Sequence, residues 1–307
     1  MPHNLRAAAP TILLFGGSGE VGFELRRTLA PIGRVVAPAR CDAEMLRPDD
    51  LCRVIRDVRP EAIVCAAAYT AVEAAQTNQA EAYAVNVVAP RVIADEAAKL
   101  GALMVHYSSD YVFDGTKVEP YVEEDCVHPL SVYGETKAAG ESAIMDSAAR
   151  YLILRTSWVF GVLRRNFAKT VLHAARLGQP LKIVVDQVGA PTSAALIADV
   201  TAHAILRYLR GANEDFPSGL YHVAAAGATT WHGYACELLR MAADRGLPLK
   251  AGAEDVLAIS SMAYPAIAAR PANSRLNTSR FTHTFGLHMP DWRDGVAHVL
   301  DQLSVSW

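Results

Sequence analysis

Two side chains with helical spacing could together move a proton. Tyr133 and Lys137 stand four residues apart, which brings both to one face of a helix. A free phenol has a pKa of about 10, so the neighbouring ammonium is expected to lower the pKa of Tyr133. Ser109 ends an apolar segment and is expected to face Tyr133, where its hydroxyl would polarise a substrate oxygen. The set predicts proton donation to a carbonyl oxygen; the structural alternative is a half-buried helix tyrosine.

A glycine-rich loop predicts the binding site for a hydride carrier. Gly16, Gly19 and Gly22 form the pattern G-x-x-G-x-x-G between an apolar segment and a helical one. Such a loop allows a tight turn, brings bare backbone close to a pyrophosphate at a helix N-terminus, and lets the helix pack closely on the strand. A nicotinamide dinucleotide bound there would carry the hydride. The alternative is a plain tight turn; a hydrolase elbow, G-x-S-x-G, is excluded because Glu20 stands where its last glycine belongs.

The end of the second apolar segment bears on which dinucleotide binds. A carboxylate at this point usually holds the ribose 2′-hydroxyl, yet residues 35–40 read VVAPAR and the first acid is Asp42. Arg40 could instead pair with a 2′-phosphate through two parallel hydrogen bonds. NADPH is therefore favoured, while NADH and a purely solvent-exposed Arg40 stay open as alternatives.

The alternation of apolar and helical segments predicts the scaffold. Strands that are apolar throughout and separated by helices indicate a parallel sheet covered on both faces, and crossover handedness favours a doubly wound arrangement. The predicted fold class is α/β, a Rossmann-like doubly wound parallel sheet with a smaller α/β substrate domain. The predicted strands are residues 11–16, 34–39, 61–68, 102–108 and 151–156.

Boundaries follow from the same pattern. Residues 1–10 are predicted to be a disordered leader, residues 11–160 an NAD(P)-binding Rossmann domain, and residues 161–307 mainly a substrate-binding domain, with chain returning to the sheet at about 187–225. Residues 72–100 are predicted to form two helices, the second capped by Asn86 and ended by Gly101.

Composition excludes several classes of protein. The formal net charge is −3, without the basic excess of a nucleic-acid-binding protein. The 5 cysteines are an odd number with no C-x-x-C pair, which indicates reduced thiols and a cytoplasmic location. No secretory leader and no apolar run of membrane-spanning length is present. The histidines lack H-x-x-x-H spacing, so no metal site is predicted.

Together these residues resemble the extended short-chain dehydrogenase/reductases, and within them the dTDP-4-dehydrorhamnose reductase branch. The resemblance implies NADPH-dependent reduction of the 4-keto group of dTDP-4-dehydro-6-deoxy-L-mannose (dTDP-4-dehydro-L-rhamnose) to dTDP-L-rhamnose, the last step in making this sugar nucleotide for lipopolysaccharide and cell-wall polysaccharide. The matching strings are LFGGSGEVGFEL (14–25), AAAYTAVEAA (66–75), HYSSDYVFDG (106–115), VYGETKAAGE (132–141), LRTSWVFG (154–161), NFAKT (166–170), DQVGAPTSA (186–194), GLYHVAA (219–225), ARPANSRLNT (269–278) and PDW (290–292).

The resemblance also implies a role for each matching residue. Tyr133 would be the proton donor, Lys137 its partner, and Ser109 the adjacent hydroxyl, at a position where the family often has threonine. The implied cofactor contacts, besides Tyr133 and Lys137 themselves, are Gly19, Glu20, Val21, Glu44, Met45, Ala68, Tyr69, Thr70 and Tyr107. The implied substrate contacts are Ser109, Asp110, Trp158, Arg270 and Asn273, with Arg275 either a further contact or a structural surface residue.

Departures from the family pattern keep some alternatives open. Some relatives form a homodimer around Mg²⁺ held by glutamates, one of them just after the A-P-T string, but here Ser193 is followed by Ala194 and Ala195, which disfavours Mg²⁺. A homodimer without the metal stays open. A dehydratase is disfavoured because no glutamate follows Asp110. Two alternatives remain: another sugar-nucleotide reductase or epimerase, and a non-catalytic regulatory subunit resembling the β subunit of methionine adenosyltransferase.

Overall fold

The computed structural model describes residues 9–211, 215–264 and 266–304. Residues 1–8 of the predicted leader lie outside this range. The strands are β1 (Thr11–Phe15), β2 (Arg34–Val36), β3 (Ala62–Cys65), β4 (Leu103–Ser109), β5 (Arg150–Thr156), β6 (Val159–Phe160), β7 (Leu181–Val184), β8 (Val188–Gly189), β9 (Thr192–Ser193), β10 (Gly219–His222), β11 (Thr229–Thr230) and β12 (Val256–Ile259). The α-helices are α1 (Glu20–Leu29), α2 (Pro48–Val58), α3 (Val72–Ala75), α4 (Gln79–Tyr83), α5 (Ala89–Leu100), α6 (Val132–Met145), α7 (Phe167–Leu177), α8 (Ala194–Arg210), α9 (Trp231–Asp244), α10 (Ser279–Phe285) and α11 (Trp292–Ser304).

Within the described chain, six parallel strands form the central sheet in the order β2-β1-β3-β4-β5-β10. The order reverses direction at β1, which pairs with β2 on one side and with β3 on the other. In an open parallel sheet, ligands bind beyond the carboxyl ends of the strands at such a reversal. The topology therefore directs a ligand to the loops that follow β1 and β3.

Both faces of the sheet are covered, as predicted for a doubly wound fold. Alternate residues of β1 point to opposite faces. Ile12 and Leu14 pack in a core formed with α1 and α8, whereas Leu13 and Phe15 pack in a core formed with α2 and α5. The predicted α/β, Rossmann-like class is confirmed, and we call this sheet with its helices the sheet lobe.

A second lobe consists mainly of α7, α9 and α11. Its core contains the largest fully buried side chains of these helices, Tyr234 and Trp292, whose rings meet edge to face. The chain also returns from this half to the sheet lobe, because α8 packs on the α1 face and β10 pairs with β5. The sheet lobe is therefore built from both halves of the sequence.

Asn86 does not cap a helix, and that prediction is wrong. It lies inside a π-helical turn, Ala84–Val88, that joins α4 directly to α5. Its side chain is fully buried and turns away from the helix terminus toward the loop after β3. The predicted end of this region is confirmed, since Gly101 closes α5 in the left-handed conformation, φ 67°.

None of the helices found in the described residues combines the length and apolar character that crossing a membrane requires.

Candidate active site

The glycine loop follows β1 and opens into α1 at the reversal of the strand order. Gly19 N donates to Gly16 O at 2.9 Å, and Gly16 has a φ of 81°, which favours glycine. A Cβ on Gly22 would lie 2.0 Å from Gly16 O, so the helix packs on the turn more closely than any side chain permits. The loop thus has the conformation that leaves backbone N–H groups at the α1 N-terminus open to an anion.

A cavity of about 730 Å³ extends from this loop along the ends of β1, β3 and β4. Its volume falls within the range of typical small-molecule sites. Of the residues predicted to touch a dinucleotide, the lining includes Gly16, Gly19, Glu20, Val21, Arg40, Glu44, Met45, Ala68, Tyr69, Thr70, Tyr107, Tyr133 and Lys137. Gly22 lies behind the loop, where its role is packing.

The catalytic helix α6 is fixed at its first turn by two side chains. Ser131 accepts a hydrogen bond from Gly134 N at 3.3 Å, as an N-cap does. Gln76 accepts another from Val132 N at 2.9 Å. Tyr133 and Lys137 therefore project from a helix end that is anchored, which confirms that both belong to one helix.

Lys137 is a buried cation, 2% exposed. Its Nζ donates to Tyr107 O at 2.5 Å and lies 3.3 Å from Nε2 of His106. Burial, together with the charge of Lys137, holds the pKa of His106 well below its ordinary value, so the imidazole is neutral and can accept. Burial also lowers the pKa of Lys137 to about 8.

The expectation that Lys137 lowers the pKa of Tyr133 is wrong for this structure. Burial raises the pKa of Tyr133 to about 12, a hydrogen bond with Ser109 acts to lower it, and the charge of Asp110 adds to the rise. The Lys137 ammonium is directed at Tyr107 O and His106. The phenol is therefore held protonated, and Ser109 is its close partner as predicted from the sequence.

Asp110 follows Ser109 at the end of β4 and is 2% exposed. The Ser109 hydroxyl donates to its Oδ1 at 3.0 Å. Burial raises the pKa of Asp110 to about 6, against hydrogen bonds from Ser274 and Ser109 that lower it. The carboxyl group is thus a buried acid next to the proposed proton donor.

Trp158 is more enclosed than a sugar-stacking residue would be. It has a φ of 48°, its ring stacks on Trp231 with centroids 3.6 Å apart, and its other face covers Gly189. A Cβ on Gly189 would lie 2.5 Å from the indole. The side chain is 9% exposed and belongs to the core of the second lobe. Its contact with a sugar stays a prediction and concerns the exposed edge of the ring.

Arg270 forms an ion pair with Glu73 of α3. Its Nη2 donates to Glu73 Oε1 at 2.9 Å, and Oε2 of the same carboxylate accepts from Ile267 N at 2.9 Å and from Ala268 N at 3.0 Å. Among the described residues, the buried Arg270 Nε has no hydrogen-bond partner, so it has a donor left for a ligand. The predicted substrate contact is compatible with this position.

Asn273 does not fit its predicted contact with substrate. Its Nδ2 donates to Lys117 O at 2.7 Å and to Glu119 O at 2.9 Å, and its Oδ1 accepts from Arg275 N and Nε. These bonds use all four hydrogen-bonding positions of the amide. Asn273 therefore holds neighbouring backbone in place, and Arg275 packs against it as a structural residue.

Two side chains of opposite charge lie at the end of the cavity that is predicted to hold the adenosine. Arg40 Nε donates to Glu44 Oε2 at 2.8 Å, and the guanidinium is largely exposed. This hydrogen bond lowers the pKa of Glu44 and raises that of Arg40, so both groups are charged. Arg40 has donors left for a further anion.

Comparison with protein-family models decides the relationship. Residues 10–305 match the model described as the RmlD substrate binding domain. The chain belongs to this family.

Two curated relatives of the family cover almost the whole chain. The dTDP-4-dehydrorhamnose reductase of Escherichia coli (strain K12) is 44% identical over 296 residues, which are 95% of this chain and 97% of the relative. The dTDP-4-dehydrorhamnose reductase of Burkholderia thailandensis is 45% identical over 288 residues, 93% of this chain and 96% of the relative.

A solved structure agrees with these relatives. The crystal structure of dTDP-4-dehydrorhamnose reductase from Bacillus anthracis, in complex with NADP, matches with a TM-score of 0.86 and 28% identity. The match covers 95% of this chain and 99% of that one. The family resemblance seen in the sequence is thereby confirmed.

In this member of the family, the cavity is also lined by residues that the sequence did not predict. Arg164 and Arg165 line it beside the glycine loop, although they lie far along the chain. The two adjacent arginines were a usable signal, because they closely follow the matching string at 154–161. Asn86 does not line the cavity, and its structural role was missed for a different reason: the bonds it makes join segments that are distant in sequence.

The described residues contain no group of three or more His, Cys, Asp or Glu side chains placed to hold a metal ion.

Proposed function

We propose that the protein is an NADPH-dependent reductase that converts dTDP-4-dehydro-6-deoxy-L-mannose to dTDP-L-rhamnose. The observation that carries this is Tyr133, half-buried in the lining of a cavity that also includes the glycine loop, and held on one helix with Lys137. Relatives named dTDP-4-dehydrorhamnose reductase favour this activity over the regulatory subunit and over a different sugar-nucleotide enzyme.

The residues of the cavity fit the cofactor. The glycine loop supplies bare backbone at the N-terminus of a ten-residue helix, which suits a pyrophosphate. Tyr69, Thr70 and Met45 would border the adenosine, and Tyr133 and Lys137 the nicotinamide ribose. NADPH bound there supplies the hydride.

Side chains of the protein supply the proton for the substrate's carbonyl oxygen. Tyr133 gives its hydroxyl proton to the substrate's carbonyl oxygen as that oxygen gains negative charge, because an alkoxide is a stronger base than the phenolate left behind. Ser109, whose hydroxyl donates to Asp110 Oδ1 in this structure, would turn its proton toward the same oxygen and lower the cost of the developing charge. The Tyr133 phenolate then regains a proton from solvent, while Lys137, held by Tyr107 O and His106, would position the nicotinamide ribose as a cation.

NADPH is the proposed cofactor in preference to NADH. Arg40 is exposed at the end of the cavity proposed for the adenosine, and it can bind a 2′-phosphate in addition to its carboxylate partner Glu44. NADH has a 2′-hydroxyl in place of the 2′-phosphate, and Glu44 would accept a hydrogen bond from it. NADH is therefore proposed as a weaker alternative cofactor. The Bacillus anthracis reductase was crystallised as a complex with NADP, which supports this order.

The sugar nucleotide is proposed to lie against Ser109, Asp110, the edge of Trp158 and Arg270. None of these four residues lines the cavity described above, and Arg270 has a buried Nε donor with no partner among the described residues. Residues 11–160 are proposed to bind the cofactor and residues 161–307 mainly the substrate, with α8 and β10 completing the sheet lobe. A homodimer, the doubt over Mg²⁺ and the cytoplasmic location stay predictions.

The first experiment replaces the proton donor. We expect Tyr133→Phe to lower kcat by at least about 100-fold, since a positioned acid contributes on the order of 10² to 10⁴. The measurement is NADPH oxidation at 340 nm with dTDP-4-dehydro-L-rhamnose generated in situ. The matched control is Tyr83→Phe, because Tyr83 is 52% exposed and lies outside the cavity.

Two results would contradict the proposal. Full activity of Tyr133→Phe would keep the enzyme and reject the proton donor. No turnover by the wild-type protein, despite NADPH binding, would favour the regulatory subunit or a different keto-sugar.

A further inference from the structure

A loop from the second half of the chain lies directly against the glycine loop. We call residues 161–166 the arginine loop. Glu20, the first residue of α1, accepts from Leu163 N and from Arg164 N, each at 2.9 Å. A Cβ on Gly161 would lie 2.4 Å from Oε1 of Glu20, so the carboxylate can sit here because residue 161 is glycine. The arginine loop is thereby fixed beside the predicted pyrophosphate site.

The Arg164 side chain completes this contact in an unusual way. Its Nε and Nη2 both donate to Ser18 O, at 3.0 and 2.7 Å. A single neutral carbonyl oxygen is a weak partner for a guanidinium, which pairs best with the two oxygens of an anion. Among the ion pairs of the described residues, none involves Arg164 or Arg165. Two positive charges therefore border the cavity, and no carboxylate in the described part of the chain forms an ion pair with either of them.

The charge around the glycine loop explains why such cations are needed. Glu20 places a carboxylate at the first position of α1, where the helix dipole would otherwise favour a pyrophosphate. A pyrophosphate bridge adds about two further negative charges near that carboxylate. Without nearby cations, the Glu20 carboxylate would repel the ligand that the loop is shaped to hold.

We propose that Arg164 and Arg165 bind the pyrophosphate of the dinucleotide, with Arg164 exchanging Ser18 O for phosphate oxygens. The inference rests on the proposed function, because it takes a dinucleotide as the ligand. It assigns a second source of phosphate contacts, supplied by the start of the second half of the chain and added to the backbone N–H groups of the glycine loop. Glu20 holds the arginine loop in position for this contact.

The test measures direct binding, without turnover, by isothermal titration calorimetry. The proteins are the wild type, Arg164→Ala, Arg165→Ala, the double variant, Arg164→Lys, and Arg40→Ala. Each is titrated with NADPH and with adenosine 2′-monophosphate, which keeps the 2′-phosphate but has no pyrophosphate. The matched control is Arg240→Ala, an exposed arginine of α9 that pairs with Glu237 and Asp244 on its own helix. Melting temperatures establish that each variant is folded.

We expect the double variant to bind NADPH about 10- to 100-fold more weakly, the size expected for losing charge-assisted hydrogen bonds. Its affinity for adenosine 2′-monophosphate should stay within about twofold of the wild type. Arg164→Lys should fall between the wild type and Arg164→Ala, since it keeps the charge and loses the planar fork. Arg40→Ala should lower the affinity for both ligands, because both contain the 2′-phosphate.

Two outcomes would overturn the inference alone. The first is a double variant that binds NADPH as tightly as the wild type does. The second is a double variant that loses affinity for both ligands by the same factor, which would show that the arginine loop merely supports the glycine loop. A wild-type protein that fails to bind NADPH would overturn the proposed function and this inference with it.

Discussion

Lys137 is a cation held almost entirely out of water, and its titration should set the alkaline limit of the reaction. Burial lowers its pKa to about 8, so above that pH the side chain loses the positive charge with which it would position the nicotinamide ribose. We expect kcat/KM for the sugar nucleotide to be level up to about pH 8 and then to fall about tenfold per pH unit. Initial rates at saturating NADPH would measure this. A profile that stays level to pH 10 would contradict the role given to Lys137.

The lowered pKa of Lys137 also makes the free energy of unfolding depend on pH. In the unfolded chain Lys137 has its ordinary pKa of 10.5, so between about pH 8 and 10.5 the unfolded state binds more protons than the folded one. The free energy of unfolding should therefore rise with pH across that window, and at pH 7 the buried charge costs stability. We expect Lys137→Met to gain about 1 to 2 kcal/mol at pH 7, after the lost hydrogen bond to Tyr107 O is counted. Urea unfolding at pH 7 and pH 10 would test this, and an equal gain at both would exclude the charge as its cause.

Residue types and spacing were enough to find the reacting side chains, but not their protonation. Tyr133, Lys137 and Ser109 were predicted from a helix face and a strand end, and the structure brings them together. The predicted lowering of the Tyr133 pKa failed because it assumed that Lys137 points at the phenol. In the fold, the ammonium is taken by Tyr107 O and His106, and burial dominates.

The π-helical turn between α4 and α5 ties the cofactor cavity to the catalytic helix. Asn86 accepts from Tyr69 N at 2.9 Å, and donates to Tyr69 O and to Thr136 Oγ1, each at 3.1 Å. Thr136 lies between Tyr133 and Lys137 on α6. We expect Asn86→Ala to lower the free energy of unfolding by about 2 to 4 kcal/mol, since buried backbone groups would lose their partners. NADPH affinity should fall as well, because Tyr69 lines the cavity.

The matched control for Asn86→Ala is Asn78→Ala. Asn78 donates to the hydroxyl of the same tyrosine, at 3.1 Å, but this bond is exposed. It should change the free energy of unfolding by less than about 0.5 kcal/mol. Equal effects of the two substitutions, measured by urea unfolding and by NADPH titration, would remove the special role of Asn86.

Elements made from continuous apolar runs were predictable, and elements defined by tertiary contacts were not. The strands β1, β3, β4 and β5 were found from residues that are apolar throughout, the pattern of a buried parallel sheet. Asn86 was predicted as a cap because asparagine is favoured there. The π-helical turn directs its amide toward Tyr69 and Thr136 instead, and partners so distant in sequence leave no local signal.

Glu73 anchors the segment that carries Arg270, a proposed substrate contact. One carboxylate receives Ile267 N, Ala268 N and the Arg270 guanidinium, while Glu73 itself belongs to α3 of the sheet lobe. We expect Glu73→Ala to lower kcat/KM for the sugar nucleotide by about 10-fold, because Arg270 loses its orientation and residues 266–270 lose their anchor. The affinity for NADPH should be unchanged. Hydrogen exchange in residues 266–270 should become faster, which a change confined to the catalytic groups would not cause.

Glu237→Ala is the control for that variant. Glu237 pairs with Arg240 inside α9, so removing it breaks a surface ion pair that does not join the lobes. It should leave kcat/KM and the exchange of residues 266–270 as in the wild type. Weaker NADPH binding by Glu73→Ala would show that the connection serves the cofactor cavity and not the substrate.

The arrangement of β10 has a consequence for how the protein is made. On the ribosome, β5 emerges long before β10, and until β10 arrives the outer side of β5 is a row of unpaired backbone groups. The apolar face of α1 likewise stays exposed until α8 has been synthesised and packs on it. A nascent chain stopped after the first half would therefore have an unpaired strand edge and an exposed apolar helix face. It would tend to aggregate. The parallel sheet can therefore be completed only after β10, in the second half of the chain, has been synthesised.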